Sequence, residues 1–213
     1  SAVMMSIVTA SGGVRIFNAG MRGQKGTPFL GGTRASSFWR WPGTLKPADC
    51  DKLTAHIDFF RTIAGIAGAK LDPKAEKQAE GRNLVPLLEN PHAAWPSRTL
   101  FTHVGRWAKD SPPDTGKHVN CSVRTNDYHL VSISRQNKPD WMLFDLRSDA
   151  GEQHDIAAQN PQVVAEMQGA FEEWWQSVLP MMDNEKAPLA PENPFWTLYK
   201  NQFGSLPGIK AGK

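Results

Sequence analysis

The sequence lacks several features that would place it quickly in a class of protein. It has two cysteines, Cys50 and Cys121, and they fit neither a CxxC pair nor a Cys/His zinc pattern. One disulfide and two separate thiols are both compatible with that spacing. No apolar run reaches the roughly 18 residues that a membrane-spanning helix needs. The net charge is only +3 and the basic residues are scattered, which argues against a nucleic-acid-binding surface.

What is present is the composition of a folded chain. Hydrophobic residues make up 40% of the 213 residues and charged residues 21%, enough for one large domain or two small ones. Eight tryptophans are many for this length, and we expect most of them in a core. The stretch before Gly12 lacks the charged start and the long apolar centre of a secretory signal.

The first half of the chain predicts strands, a glycine-rich loop and one helix. Residues 6–10 and 35–41 are predicted to be strands on either side of the loop. Apolar residues recur every three or four positions over 49–67, which predicts a helix with Asp49 as its N-cap and Gly68 at its end.

The second half changes to a period of two. Residues 119–125, 128–134 and 141–146 are predicted to form antiparallel strands joined by short polar turns. A second helix is predicted over 161–179, with Asn160 as its cap. The tail beyond it carries many large apolar residues, so we expect it to dock on the domain.

A loop between residues 17 and 27 could bind an anion. Its glycines allow close backbone approach and positive φ angles, while Arg22 and Lys25 add positive charge. Free amides and two cations suit a sulfate or a phosphate. The alternative is a surface turn with two solvated cations. The nucleotide-binding pattern G-x-x-x-x-G-K-[ST] is absent from it.

Four segments in order resemble the sulfatases of the alkaline-phosphatase superfamily. Residues 22–34, followed by 41–43, are similar to the family patterns K-G-T-x-x-E-G-G-x-R-x-P and W-P-G. Residues 54–68 resemble its D-x-x-P-T-L…A-G helix, and 81–88 resemble G-x-S-L-x-P-L-L. Residues 143–152 resemble the turn L-Y-D-L-x-x-D-P-x-E that leads into the last helix of the family.

The resemblance implies a partial sulfatase fold of the α/β (α+β) class. Residues 1–100 would be the end of the large α/β domain, and residues 101–213 a small antiparallel sheet packed by a C-terminal helix. It also implies an arylsulfatase-like hydrolase of sulfate esters. Lys25 carries over as the cation that grips sulfate, and Arg22 and His103 are further candidates for substrate contact. For His103 the alternative is a packing or surface role.

Other family features have no counterpart in the sequence. The family nucleophile is a formylglycine made in C/S-x-P/A-x-R, and residues 121–124 lack the Pro/Ala and fall in a predicted strand. The family calcium uses an Asp-Asn pair where this chain has Ser11 and Gly12, poor donors for a cation that takes six to eight oxygens. Leu30 replaces the Glu before the double glycine, so Arg34 would lack its expected carboxylate partner. We therefore expect no metal site and no hydrolysis by this chain alone.

Two functions stay open at this point. The chain is either the C-terminal part of an arylsulfatase-like enzyme or a non-catalytic module, derived from a truncated sulfatase, that binds an anion or a protein. A sheet edge left by missing strands would pair with a second copy or with a separate N-terminal sulfatase half. We expect neither a nucleic-acid nor a membrane partner. The resemblance favours a periplasmic or secreted protein, whereas the lack of signal-peptide features before Gly12 favours a cytoplasmic one.

Overall fold

Short helices precede a four-stranded sheet and a long helix. The computed structural model describes residues 18–108, 110–182 and 191–204. Within them the helices are α1 (Leu30–Thr33), α2 (Asp58–Ile66), α3 (Pro73–Gln78), α4 (Val85–Glu89), α5 (Pro161–Met182) and α6 (Pro194–Phe203). The strands are β1 (Leu100–His103), β2 (Cys121–Arg124), β3 (Tyr128–Ser132) and β4 (Met142–Asp145). The strand predicted over 6–10 lies outside the described residues, as do Ser11 and Gly12.

The sheet is an antiparallel meander in the order β1-β2-β3-β4. Its last three strands confirm the three predicted in the second half of the chain, although successive residues in them are buried and the period of two is not seen in their burial. A two-residue turn links β2 to β3, where Thr125 N donates to Tyr128 O over 2.9 Å. This turn sets the register, so that Val123 lies opposite Leu130 and Leu130 opposite Leu143 on the fully buried face. The sequence analysis does not predict β1, a strand of only four half-buried residues, of which Phe101 packs against the core.

Helix α5 covers the sheet and confirms the helix predicted over 161–179. Met167, Phe171 and Trp175, each four residues apart, point into the core against β2, β3 and β4. Each large apolar side chain stabilises by about 1.5–3 kcal/mol when fully buried. Asn160 starts the helix through its carbonyl, which accepts from Val164 N over 3.1 Å, while its side-chain amide donates back along the chain.

The strand predicted over 35–41 is wrong, and the helix predicted over 49–67 is shorter. Residues 35–41 form no regular secondary structure, and the described ranges place no strand beside them to pair with. The helix begins at Asp58 and not after Asp49, because the Asp58 carboxylate accepts from Ala55 N over 2.7 Å and turns the chain there. Its end is confirmed, since Gly68 has φ +63° just after the last turn.

Polar residues occupy the buried side of α2. Asp58 is fully buried, and Arg98 Nη1 donates to both of its carboxylate oxygens over 2.9 and 2.8 Å. Thr62 is buried beside it and accepts from Leu84 N over 2.9 Å, which ties α2 to the stretch before α4. The buried side of α2 is therefore polar, whereas the periodicity of the sequence predicts an apolar one.

Large apolar residues of this segment face solvent instead. The residues are Ile57, Phe59, Phe60 and Ile63, which we call the outer face of α2; Phe60 and Ile63 are each 54% exposed. An exposed apolar group of this size usually marks a surface that another protein covers.

The predicted docking of the tail is not found in the described part of it. Helix α6 has no buried residue, although Phe195, Trp196 and Tyr199 contact one another. Asn193 caps it by accepting from Phe195 N over 3.0 Å. Across the described ranges, no helix combines the length and apolarity needed to cross a bilayer. The domain division after residue 100 stays a prediction.

Candidate functional site

Lys25 lies at the tip of a tight turn. Thr27 N donates to Gln24 O over 2.9 Å, and the Thr27 hydroxyl bonds both the N–H and the carbonyl of Gln24 over 3.0 and 2.7 Å. Gly26 has φ +87°, as the third position of a type II turn requires. Lys25 is exposed at the second position and has no hydrogen-bond or ion-pair partner among the described residues.

The double glycine lets α1 pack directly on this turn. Gly31 N donates to Arg22 O over 2.7 Å, and a Cβ at Gly31 would lie 2.6 Å from that same oxygen. A Cβ at Gly32 would overlap the carbonyl oxygen of Thr27. Only glycine fits such a close approach of two backbones. The turn that carries Lys25 is therefore held on a fixed support.

A buried carboxylate connects this support to the sheet. Glu152 is fully buried; its Oε2 accepts from Leu30 N over 2.7 Å, and its Oε1 lies 2.5 Å from His129 Nδ1. Arg22 donates to the backbone carbonyl of the same residue over 3.2 Å. We call these four residues the Glu152 clamp. Glu152 also has φ +56°, a conformation that costs about 1–3 kcal/mol outside glycine.

Burial keeps the histidine of the clamp neutral, and the bond to Glu152 selects its tautomer. Burial lowers the pKa of His129, and the positive charge of Arg124 lowers it further, while the hydrogen bond to Glu152 opposes both. A neutral imidazole must then donate from Nδ1, because a carboxylate only accepts. His129 therefore acts as a neutral donor to Glu152.

Arg22 is engaged in this same arrangement. Its guanidinium lies 4.3 Å from the ring centre of Phe29 and 5.7 Å from that of Phe144, in addition to its bond to Glu152. Arg22 therefore has a packing role, and its contact with a substrate stays a prediction.

His103 lies on β1 with both ring nitrogens in use. Its Nδ1 accepts from Gly105 N over 2.8 Å, so Nε2 donates to Gly116 O over 2.9 Å. The ring packs 4.9 Å from Trp175, and burial lowers the pKa of the imidazole. Within the described contacts nothing links His103 to the Lys25 turn, and its substrate role stays a prediction.

The cysteines are both free thiols. Cys50 is exposed and Cys121 is fully buried on β2, where burial raises its pKa to about 12. A thiol with that pKa inside a core is a poor nucleophile. Across residues 18–108, 110–182 and 191–204, no three His, Cys, Asp or Glu side chains lie close enough together to hold a metal ion.

Glu152 is the residue of this site that the sequence reasoning missed. It stands at the end of the segment 143–152, which resembles the family turn, but that resemblance gives no chemical role for it. The bond from Leu30 spans 122 positions in sequence, so no local pattern could have indicated it.

Comparison with solved structures identifies the class of fold. A protein of Bacteroides thetaiotaomicron, solved in work on the metabolism of multiple glycosaminoglycans, matches 73% of this chain with a TM-score of 0.55 at 21% identity, over 32% of its own length. The crystal structure of Ps i-CgsB matches 87% of the chain with a TM-score of 0.54 at 20% identity, over 37% of its length. These matches confirm the predicted fold class, a partial sulfatase α/β fold.

Sequence comparison then gives the family. Residues 31–177 match the family described as N-sulphoglucosamine sulphohydrolase, C-terminal, and the chain belongs to that family. The uncharacterized sulfatase YdeN of Escherichia coli (strain K12) is 29% identical over 201 residues, which is 83% of this chain and 34% of YdeN. Human arylsulfatase A is 28% identical over 168 residues, 68% of this chain and 31% of that enzyme. The chain thus spans about a third of the length of these relatives.

Proposed function

We propose that this chain is the C-terminal part of an arylsulfatase-like sulfuric ester hydrolase, in which Lys25 presents a cation to the sulfate group of the substrate. The observation that supports this is the placement of Lys25, exposed and unpaired among the described residues on a turn backed by Gly31 and Gly32. Because the backbone of this turn is already fixed, only the side chain of Lys25 has to be ordered when an anion binds. A solvated surface lysine would not need such a support.

The names of the relatives suggest which chemical group their substrates share. They include an N-sulphoglucosamine sulphohydrolase family, arylsulfatases, steryl-sulfatases and an N-acetylgalactosamine-6-O-sulfatase. The aryl, steryl and sugar parts differ among these names, but each name refers to a sulfo group (SO3⁻) on oxygen or nitrogen. Lys25 would contact that group, so its role does not depend on which sulfated compound is bound.

We expect this chain to bind sulfate but not to hydrolyse an ester by itself. Hydrolysis needs a nucleophile and a proton donor for the leaving group, and the sulfatases add calcium and formylglycine. The described residues include no cluster of side chains that could bind a metal ion, and Cys121 is fully buried in the core. We therefore derive no step through calcium or formylglycine. Those groups would come from the larger part of a complete sulfatase.

Calorimetric titration with sodium sulfate, at ionic strength held constant with sodium chloride, tests the proposal. Hydrogen bonds to charged groups contribute about 1.5–3 kcal/mol, so Lys25→Ala should weaken sulfate binding by roughly tenfold or more. Lys46→Ala, which removes another exposed lysine, is the matched control and should change nothing. Equal losses in both variants would reject a specific role for Lys25. Release of an aryl alcohol by the isolated chain, reduced in Lys25→Ala, would reject the expected inactivity.

A second candidate function is a non-catalytic interaction module. The outer face of α2 favours it, because its large apolar residues would be covered in an assembly. Its occupant would be the preceding part of a sulfatase domain or a second copy of this chain. Sedimentation velocity over a range of concentrations tests the second copy. Self-association that Phe60→Ser with Ile63→Ser abolishes supports it, and a monomer at every concentration rejects it.

A further inference from the structure

Two arginines flank the Glu152 clamp without a described acid partner of their own. Arg34 follows α1 directly, and Arg124 ends β2 opposite His129 in the sheet register. Leu30, the first residue of the one-turn helix α1, and His129, the register partner of Arg124, both bond the Glu152 carboxylate, so the clamp brings α1 close to the end of β2. The two guanidinium groups are near enough that the charge of Arg34 acts on Arg124.

Arg124 is the less well satisfied of the two. Its Nε is buried and has no hydrogen-bond partner in the part of the chain that the structure describes. Burial lowers the pKa of its guanidinium, and Arg34 lowers it further, whereas Glu152 raises it. A buried donor without a partner costs about 1–3 kcal/mol, and more when the group is charged. The fold therefore keeps an unfavourable charge here unless something negative joins it.

The charges around this point do not balance. Arg34 and Arg124 bring two positive charges to the clamp, and neither makes a described bond to a carboxylate, whereas Glu152 already accepts from Leu30 and His129. Of the two guanidinium groups without a described partner, Arg34 is exposed and Arg124 is half-buried, so an anion from solvent can reach the pair from the Arg34 side.

We propose that Arg34 and Arg124 form a binding site for a doubly charged tetrahedral oxyanion, a sulfate or phosphate group, separate from the contact made by Lys25. Guanidinium groups bind such anions through paired N–H donors, which a single lysine cannot supply. The double charge matches the local excess, and the Nε of Arg124 gains the acceptor that it lacks. In a sulfated ligand, this site would hold a second anionic group besides the one at Lys25. The proposal does not depend on the role of Lys25 in hydrolysis.

The test uses inorganic sulfate in the Lys25→Ala background, which removes the other proposed anion contact. Calorimetry at constant ionic strength should still show sulfate binding there. Arg34→Gln and Arg124→Gln should each reduce the remaining affinity by about tenfold or more, as the loss of one charge-assisted bond predicts. Arg135→Gln changes an exposed arginine elsewhere and should have no effect. Because Arg34 is exposed, its variant should fold even if Arg124→Gln does not.

Three results would overturn the proposal. One is the absence of sulfate binding to the Lys25→Ala chain up to about 10 mM. Another is residual binding that neither arginine variant reduces, or that all three arginine variants reduce equally. The third is acetate binding as tightly as sulfate at equal ionic strength, which would mean that the site takes a single negative charge. Failure of the Lys25 proposal looks different, because Lys25→Ala would then leave total sulfate binding unchanged.

Discussion

Replacing Glu152 by glutamine tests whether the lysine turn depends on the sheet. Gln has nearly the same size, so the packing stays, but its amide can accept from only one side. The Leu30 amide and His129 Nδ1 both donate to Glu152. In the variant, either the Leu30 amide or His129 Nδ1 faces the NH2 group of Gln and loses its acceptor. The other donor keeps a hydrogen bond, but to a neutral amide oxygen instead of a charged carboxylate. A buried donor left unsatisfied costs about 1–3 kcal/mol, and a bond to a charged group contributes about 1.5–3 kcal/mol.

These two effects together predict that Glu152→Gln lowers the free energy of unfolding by about 3 kcal/mol. For a chain of this size, that corresponds to a fall in Tm of roughly 6–12 °C. Urea titration followed by tryptophan fluorescence measures the change, since Trp175 lies in the core that the clamp adjoins. Glu172→Gln is the control, because this carboxylate is half-exposed whereas Glu152 is fully buried, and it should cost less than about 1 kcal/mol.

A local measurement separates the clamp from general instability. Trypsin cleaves after Lys25, so the rate of cleavage at that bond under native conditions reports how firmly the turn is held. We expect Glu152→Gln to accelerate it far more than Glu172→Gln does. The reasoning is refuted if Glu152→Gln unfolds at the same urea concentration as the unaltered chain, or if it leaves cleavage after Lys25 unchanged.

Three further predictions follow from other parts of the structure. The pKa of His129 is lowered from its ordinary value of 6.5, so the unfolded chain takes up the proton first as the pH falls. The free energy of unfolding should therefore decrease below about pH 6.5, by at most about 1.4 kcal/mol per pH unit. Urea midpoints at pH 7.5 and 5.5 measure this, and a higher midpoint at pH 5.5 would contradict it. Gly32→Ala should expose the Lys25 turn to trypsin, because the added Cβ would overlap the Thr27 carbonyl oxygen. Gly169→Ala is the control, since there is open space where its Cβ would lie, and equal cleavage in the two variants would count against the packing of α1 on the turn. A thiol reagent should modify Cys50 at once but Cys121 only on unfolding, since Cys121 is buried and its pKa is raised to about 12. Equal rates of modification of the two thiols in the native protein would contradict that burial.

The sheet and α5 could be predicted because their patterns are local. The three later strands are short runs bounded by polar turns, and α5 repeats its apolar residues at helical spacing from Met167 to Trp175. The strand predicted over 35–41 has the right residue types, but a strand also needs a neighbour, which no local pattern supplies.

The side on which α2 is buried could not be predicted, for a different reason. Periodicity assumes that the apolar face turns inward. Here Asp58 and Thr62 face inward because Arg98 and Leu84, distant in sequence, supply their hydrogen bonds. Tertiary partners therefore override the pattern. The same limit applies to the site, where glycine spacing indicates the Lys25 turn but the buried carboxylate of Glu152 that supports it is visible only in three dimensions.

The central claim, that the Lys25 turn receives a sulfate group, is tested most directly by a crystal structure of this chain grown with sodium selenate. Selenate has the charge and shape of sulfate, and its selenium can be located by anomalous scattering. The account predicts an anomalous peak whose oxygens lie about 2.7–3.2 Å from Lys25 Nζ. Selenate bound elsewhere, with none at Lys25 while that side chain is free of lattice contacts, would contradict the account.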